Sequence, residues 1–80
     1  MINVVTQEPL RVMPTRTAGP YLNLPYSQLE QVKRVLDSHS TYYWVSESIL
    51  SLNGAPPVTT IYFGFKGDLM AIQAILDSVN

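Results

Sequence analysis

Two stretches of this chain match each other at a separation of 40 residues, in a sequence of 80. The tripeptide Leu-Asp-Ser at positions 36–38 recurs at positions 76–78. Apolar positions correspond at the same offset, pairing Leu29 with Leu69, Val32 with Ile72, Val35 with Ile75, Val5 with Val45, and Leu10 with Leu50. Two similar halves restrict the fold because each half must build the same local units. Whether this internal repeat arose by duplication or by chance stays open, since any two amphipathic helices share apolar spacing.

The internal repeat is strongest in two segments with helical periodicity. Ser27 and Glu30 have the spacing of a capping box, in which each side chain bonds the other's backbone amide, so we expect a helix from about Gln28 to Ser38. A second helix is expected after Gly67-Asp68, running to the chain end. The apolar stripes of the two helices are Leu29, Val32, Val35 and Leu36, and Leu69, Ile72, Ile75, Leu76 and Val79.

The segments before each helix have the character of strands. In the second half, Tyr42–Val45 is rich in strand formers, Ile49–Leu52 continues extended, and Val58–Phe65 is the strongest strand of the chain. Between them, Asn53–Pro57 predicts a turn, because Asn-Gly tolerates positive φ and proline cannot donate to a ladder. The first half shows weaker strands at residues 10–13 and 21–24, joined by a loop over residues 14–20.

The element order is therefore ββα twice, within a single α+β domain over residues 1–80. Two such units fit one four-stranded antiparallel sheet with both helices on one face. Right-handed crossovers give the spatial order first, second, fourth, third. That is the ferredoxin-like split βαβ arrangement in a circularly permuted form, with its last strand moved to the front. An alternative is an unpermuted βαββα sheet in which the first segment is only an arm.

Alternation along the strands predicts which sheet face is left bare. On the last strand the set Thr59, Ile61, Phe63 and Phe65 is expected to face the helices, together with Tyr43 and Val45 from the strand before it. Tyr42, Trp44 and Tyr62 then point outward, where no helix remains to cover them. We expect these three residues to form an interface, provided that the register is right, because a shift of one residue exchanges the faces.

Composition narrows the classes of function. Charged residues make up only 14% of the chain and the net charge is −1, which favours association and argues against a nucleic-acid binder. The chain has no cysteine and one histidine, so neither a disulfide nor a transition-metal site is expected. The N-terminal residues lack signal-peptide character, and no apolar run approaches the roughly 20 residues that span a bilayer. A cytoplasmic protein without a membrane segment is expected.

The other candidate sites are weaker. Arg11 and Arg16 bracket the first loop near Gly19, where arginine and loop amides together suit a phosphate or carboxylate. Asp37 and Asp77 each place a carboxylate in the last turn of a helix, which the helix dipole opposes, so a paired acidic site is one interpretation and a shared helix ending is another. His39 lacks the orienting acid and oxyanion hole of a catalytic serine–histidine pair.

The sequence therefore favours a small non-catalytic association domain that homodimerises, or binds another protein, through Tyr42, Trp44 and Tyr62. A second hypothesis is a small-ligand or enzymatic domain that uses the loop from Arg11 to Gly19. A third is stacking of single-stranded RNA bases on the aromatic face. No catalytic residue, cofactor or metal ligand is assigned, and the sequence identifies neither a partner nor a ligand.

Overall fold

The computed structural model describes residues 1–51 and 53–79. They form an α+β domain with three strands and two helices: β1 (Tyr21–Pro25), α1 (Leu29–Ser38), β2 (Trp44–Val45), β3 (Val58–Tyr62) and α2 (Leu69–Asp77). A 3-10 turn (Tyr26–Gln28) leads from β1 into α1. The extended segment expected to reach Leu52 and the helix expected to reach Asn80 end on residues outside those described.

The strands form one antiparallel sheet in the order β1-β3-β2. β3 pairs with β1 from Tyr21↔Tyr62 to Pro25↔Val58, and with β2 through Trp44↔Tyr62 and Val45↔Ile61. β1 and β2 are therefore parallel to each other on either side of β3, with α1 connecting them. This order is the one expected for the second, fourth and third extended segments. The turn before β3 has positive φ at both Asn53 and Gly54, at 53° and 75°, as the Asn-Gly pair predicts.

The fourth strand, expected at residues 10–13, is the main correction to the sequence-based fold. Within the described residues the sheet has three strands, and the first segment adds a single bridge between Met13 and Tyr21. Leu10 and Val12 are instead buried in the core, at 2% and 5% exposure. The element order matches the alternative of a βαββα chain with an arm, and the ferredoxin-like permutation is not confirmed.

The segment before β1, which we call the N-terminal arm, forms backbone hydrogen bonds with two glutamine side chains. These bonds replace those of a neighbouring strand. On α2, Gln73 donates through Nε2 to the Leu10 carbonyl at 2.9 Å and accepts from the Val12 amide at 2.8 Å. Ahead of α1, the buried Gln28 donates to the Ile2 carbonyl at 2.6 Å and accepts from the Val4 amide at 3.1 Å. Because a primary amide offers both a donor and an acceptor, it satisfies the carbonyl of one residue and the amide two residues later.

The start of α1 differs from the expected capping box, and Gln28, which bonds the N-terminal arm, lies at this position. Gln28 occupies the N-cap position, and no side chain in the described part of the chain caps the helix. Ser27 lies in the preceding 3-10 turn and is exposed. α2, in contrast, is capped by Asp68, whose carboxylate accepts from the Met70 and Ala71 amides at 3.0 and 3.1 Å.

The core lies between the two helices and one face of the sheet. Thr59, Ile61 and Phe63 are buried at 3%, 0% and 1% exposure, which confirms the expected inward face of β3. Phe65 was expected on this face and is 78% exposed, so that part of the prediction is wrong. Gly64, with φ +78°, ends the extended backbone, and the Gly67 amide closes a turn onto the Gly64 carbonyl at 3.0 Å. The other buried apolar residues are Met1, Leu10, Val12, Leu22, Leu24, Leu29, Val32, Leu36, Ile72 and Leu76.

Candidate functional site

The outer face of the sheet carries three aromatic side chains, Tyr42, Trp44 and Tyr62, which we call the aromatic surface. Trp44 and Tyr62 are directly opposite each other on β2 and β3, and their rings stack with centroids 5.7 Å apart and planes 27° apart. Tyr42 contacts Trp44 at a centroid distance of 5.8 Å in a tilted arrangement. The structure thus brings together all three residues expected at an interface, with Tyr42 72% and Trp44 46% exposed.

The strand register extends the aromatic surface into a row across the sheet. Tyr21 lies opposite Tyr62, and Met13 lies opposite Tyr21 through the isolated bridge. Since directly paired residues share a sheet face, Met13 and Tyr21 continue the line of Tyr62 and Trp44. Met13 is 44% exposed. The first segment therefore contributes to this face by a bridge rather than by a strand.

Gly64 lies next to the rings of the aromatic surface. A Cβ placed on Gly64 would lie 3.4 Å from a ring carbon of Trp44 and 3.7 Å from one of Tyr42, which is ordinary contact. Gly19 from the first loop packs on the backbone of this glycine so tightly that a Cβ on Gly19 would collide with the Gly64 carbonyl. The aromatic surface is thus supported by a close backbone crossing between the first loop and the end of β3.

A second concave feature, which we call the apolar groove, lies between the β3–α2 connection and α2. Its volume is about 610 Å³. Tyr42, Phe65, Ala71 and Ile75 line it, and Lys66 and Asp68 are the charged residues of its lining. Sequence reasoning did not identify this groove. The feature of the sequence that could have revealed it is the wide apolar stripe of α2, which includes Met70, Ala71 and Ala74. These three residues are exposed, so they do not contribute to the core.

A smaller cavity of about 370 Å³ is lined largely by hydroxyl and amide residues, including Asn3, Asn23, Ser46, Ser48 and Thr60. Two of these groups satisfy each other across β1 and β3, since the Thr60 hydroxyl donates to Asn23 Oδ1 at 2.7 Å. Tyr62 lines both this cavity and the aromatic surface. The cavity is therefore a polar border to the aromatic row.

Arg11 and Arg16 are both exposed, and neither lines the apolar groove or the polar cavity. The polar groups of their loop are used internally: the Thr15 hydroxyl donates to the Gly19 carbonyl at 2.7 Å and accepts from the Ala18 amide at 3.0 Å. The structure does not bring the two arginines together with a cavity. Their ligand-binding role stays a prediction of the sequence.

The repeated Leu-Asp-Ser segments have the same local geometry at the two helix ends. Ser38 and Ser78 each donate to the carbonyl three residues back, both at 2.7 Å. Asp37 accepts from the Tyr43 hydroxyl at 2.9 Å, whereas Asp77 accepts from Gln73 Nε2 at 2.9 Å. Each carboxylate has its own local donor, which favours a shared helix ending over a paired acidic site.

The surroundings of Tyr43 change its ionisation. Burial raises the pKa of its phenol above the ordinary value, and the hydrogen bond to Asp37 and the nearby negative charges of Asp37 and Glu30 raise it further. His39 ends α1, where its Nδ1 lies 3.0 Å from the Val35 carbonyl. Over residues 1–51 and 53–79, no group of three or more His, Cys, Asp or Glu side chains is placed to hold a metal ion.

Comparisons with models of known families, with curated proteins and with solved structures found no match to this chain. Neither α1 nor α2 has the length and apolar character that a bilayer crossing requires.

Proposed function

We propose that this protein is a small non-catalytic association domain that homodimerises through the aromatic surface. The observation that carries the proposal is the stacked pair of Trp44 and Tyr62 on a sheet face that neither helix covers. Binding another protein through the same residues is the second form of the proposal.

The chemistry of the surface supports association. Tryptophan and tyrosine are enriched in protein interfaces because they offer large apolar area with one polar atom, and tryptophan is the commonest energetic anchor. Here the Trp44 ring contacts the rings of both Tyr62 and Tyr42, which reduces the side-chain freedom that is lost on binding. Charged residues are depleted across the whole chain, at 14%, so few ions need to be dehydrated.

The total exposed area supports the same conclusion. The chain exposes 5433 Å², whereas a folded monomer of 9.0 kDa exposes roughly 4,850 Å² on the usual scaling of area with mass. The difference, about 600 Å², is close to the area that one partner contributes to a standard interface, roughly 800 Å². A thin shape explains the excess, since the Cα atoms extend 35 × 30 × 18 Å.

Light scattering over a range of protein concentrations tests the proposal. We expect a dimer at high micromolar concentration and a dissociation constant at least about tenfold higher for Trp44→Ser, because an anchor residue costs more than about 1.4 kcal/mol when removed. Tyr26→Ser is the matched control, since Tyr26 is also 46% exposed and lines neither cavity. A monomer at all concentrations overturns the homodimer, and an unchanged dimer in Trp44→Ser excludes the aromatic surface as its interface.

The second form has its own test. Cross-linking to a partner protein in extracts must be lost in Trp44→Ser and kept in Tyr26→Ser. Equal cross-linking by the two variants would contradict partner binding through the aromatic surface.

A further inference from the structure

The most exposed apolar side chains of the described residues lie around the apolar groove rather than at the centre of the sheet. Met70 is 80% exposed, Phe65 78% and Tyr42 72%, compared with 46% for Trp44. Phe65 and Tyr42 line the groove, and Met70 precedes the lining residue Ala71 on the first turn of α2. The three most exposed large apolar side chains of the described residues therefore line a concave site or lie beside it.

Phe65 is held in its exposed position by a closed turn. Gly64 has φ +78°, and the Gly67 amide donates to the Gly64 carbonyl at 3.0 Å. A Cβ on Gly67 would approach within 2.9 Å of the Phe63 Cβ, so the far side of the turn is packed directly against the core. Phe65 is consequently presented on a fixed backbone, which reduces the entropy lost when the side chain binds.

The available area reaches the lower limit for a specific interface. With roughly 200 Å² for each large side chain, the exposed fractions of Tyr42, Trp44, Phe65 and Met70 amount to about 550 Å² per copy. Two copies then bury about 1,100 Å², above the roughly 1,000 Å² expected of a specific interface. The groove volume of about 610 Å³ equals about twenty water molecules at roughly 30 Å³ each, which leaves room for an entering phenylalanine.

The apolar groove carries charges of both signs, so the grooves of two copies are electrostatically complementary. Lys66 and Asp68 both line it, on either side of Gly67, and contribute one charge of each sign. In a two-fold dimer the same patch of both subunits meets, so a residue contacts its counterpart or a neighbour of its counterpart. A two-fold axis at this patch would allow Lys66 of one copy to pair with the Asp68 carboxylate of the other, whose Oδ1 also caps α2.

We propose that a second copy of this chain fills the apolar groove: Phe65 of each copy inserts into the groove of the other, with Lys66 and Asp68 paired across a two-fold axis. This inference rests on the proposed homodimerisation and specifies its geometry. It places the two-fold axis at the β3–α2 turn. Tyr42, which lines the groove and also contacts Trp44, joins the groove to the aromatic surface in one continuous interface.

The decisive experiment measures the dimer dissociation constant of Phe65→Ser beside Trp44→Ser and Tyr26→Ser. Phe65→Ser is expected to raise the constant at least about 100-fold, because both copies lose a central anchor, while Tyr26→Ser leaves it unchanged. Urea unfolding of each variant verifies folding, and Phe65 is exposed enough that its replacement leaves the monomer stable.

Zero-length carbodiimide cross-linking of a mixture of ¹⁴N- and ¹⁵N-labelled protein tests the predicted charge pairing. A mixed-isotope peptide joining Lys66 to Asp68 is the expected product, since it forms only between two copies. Lys66→Gln is expected to abolish it, and Lys33→Gln is expected to leave it in place, because Lys33 lies on α1 beside Glu30 at 3.6 Å.

The outcomes separate the two proposals. A Phe65→Ser dimer of unchanged affinity, together with a weakened Trp44→Ser dimer, overturns insertion into the groove and leaves association through the aromatic surface standing. Loss of affinity in Phe65→Ser alone places the interface at the groove and overturns the aromatic surface as the contact. A wild-type monomer at high micromolar concentration overturns both homodimer proposals.

Discussion

The two faces of the sheet are made from the same strands and have opposite environments. On the inner face, Leu22 and Ile61 are fully buried, whereas Trp44 on the outer face is 46% exposed. The inner face is covered by both helices and by the N-terminal arm, while the outer face is lined by aromatic rings that contact one another. We infer that the buried inner face stabilises the fold. The outer face is not needed for the core and is available for association.

The largest expected contrast is between two phenylalanines two positions apart. Phe63 is 1% and Phe65 78% exposed. Phe63→Ala should lower the free energy of unfolding by about 3–5 kcal/mol, because it removes buried area and leaves a cavity. Phe65→Ala should change the free energy of unfolding by less than about 0.5 kcal/mol in the monomer. Urea denaturation at low protein concentration measures both, and similar losses would show that Phe65 belongs to the core.

Gly19 tests the tight backbone contact between the first loop and Gly64, beside the aromatic surface. Gly19 and Gly54 have φ of +78° and +75°, but a Cβ on Gly19 meets the Gly64 backbone and one on Gly54 meets nothing within 4 Å. Both alanine variants should lose about 1–2 kcal/mol from the left-handed backbone. Gly19→Ala should lose about 1–3 kcal/mol more from the collision. Equal melting temperatures for the two variants would mean that the loop is free to move away.

Replacing Gln73 tests whether its hydrogen bonds to the N-terminal arm stabilise the fold. Gln73→Ala leaves the Leu10 carbonyl and the Val12 amide without their partner in a partly buried setting. We expect a loss of about 1–3 kcal/mol. Gln31→Ala on the exposed side of α1 is the control and should have no measurable effect. Hydrogen exchange at the Val12 amide should speed up in Gln73→Ala alone, and unchanged exchange would contradict this role of Gln73.

The smallest expected effect is a pH dependence at Tyr43, which packs against the core from the strand side. Its pKa is raised above the ordinary 10.0, first by burial and then by Asp37. The folded state therefore holds the phenol proton more tightly than the unfolded state does. This contribution is complete below about pH 10 and is lost as the pH rises through the folded pKa. Tyr43→Phe should flatten the alkaline fall in melting temperature relative to Tyr42→Phe; parallel curves would show that the shift is absent.

Several elements could be predicted because their causes are local. The apolar stripe of α1, the Asn-Gly turn and the alternation along β3 each depend on residues a few positions apart. They gave the helix ending at Ser38, the positive φ at Asn53, and the inward face of Thr59, Ile61 and Phe63. The alternation along the strands also predicts that Tyr42, Trp44 and Tyr62 share one face.

Most of the errors have a non-local cause, whereas the error at Phe65 comes from the neighbouring Gly64. The expected strand at residues 10–13 depended on pairing with β1, but Leu10 and Val12 are buried in the core and Gln73 satisfies their backbone from 61 and 63 residues away. Ser27 did not cap α1, because Gln28 at the helix start binds the arm. Phe65 left its face because Gly64 turns the backbone. The groove was missed because it needs the β3–α2 turn and α2 together.

The sequence by itself determined an α+β chain with two amphipathic helices, one hairpin and an aromatic outer face, because hydrophobic periodicity and turn chemistry act over short distances. The tertiary structure alone decided that the first segment is an arm held by side-chain amides, and that Phe65 protrudes beside an apolar groove. These depend on competition between distant groups for the same buried hydrogen bonds and the same apolar surface. That competition is settled only when the whole chain packs.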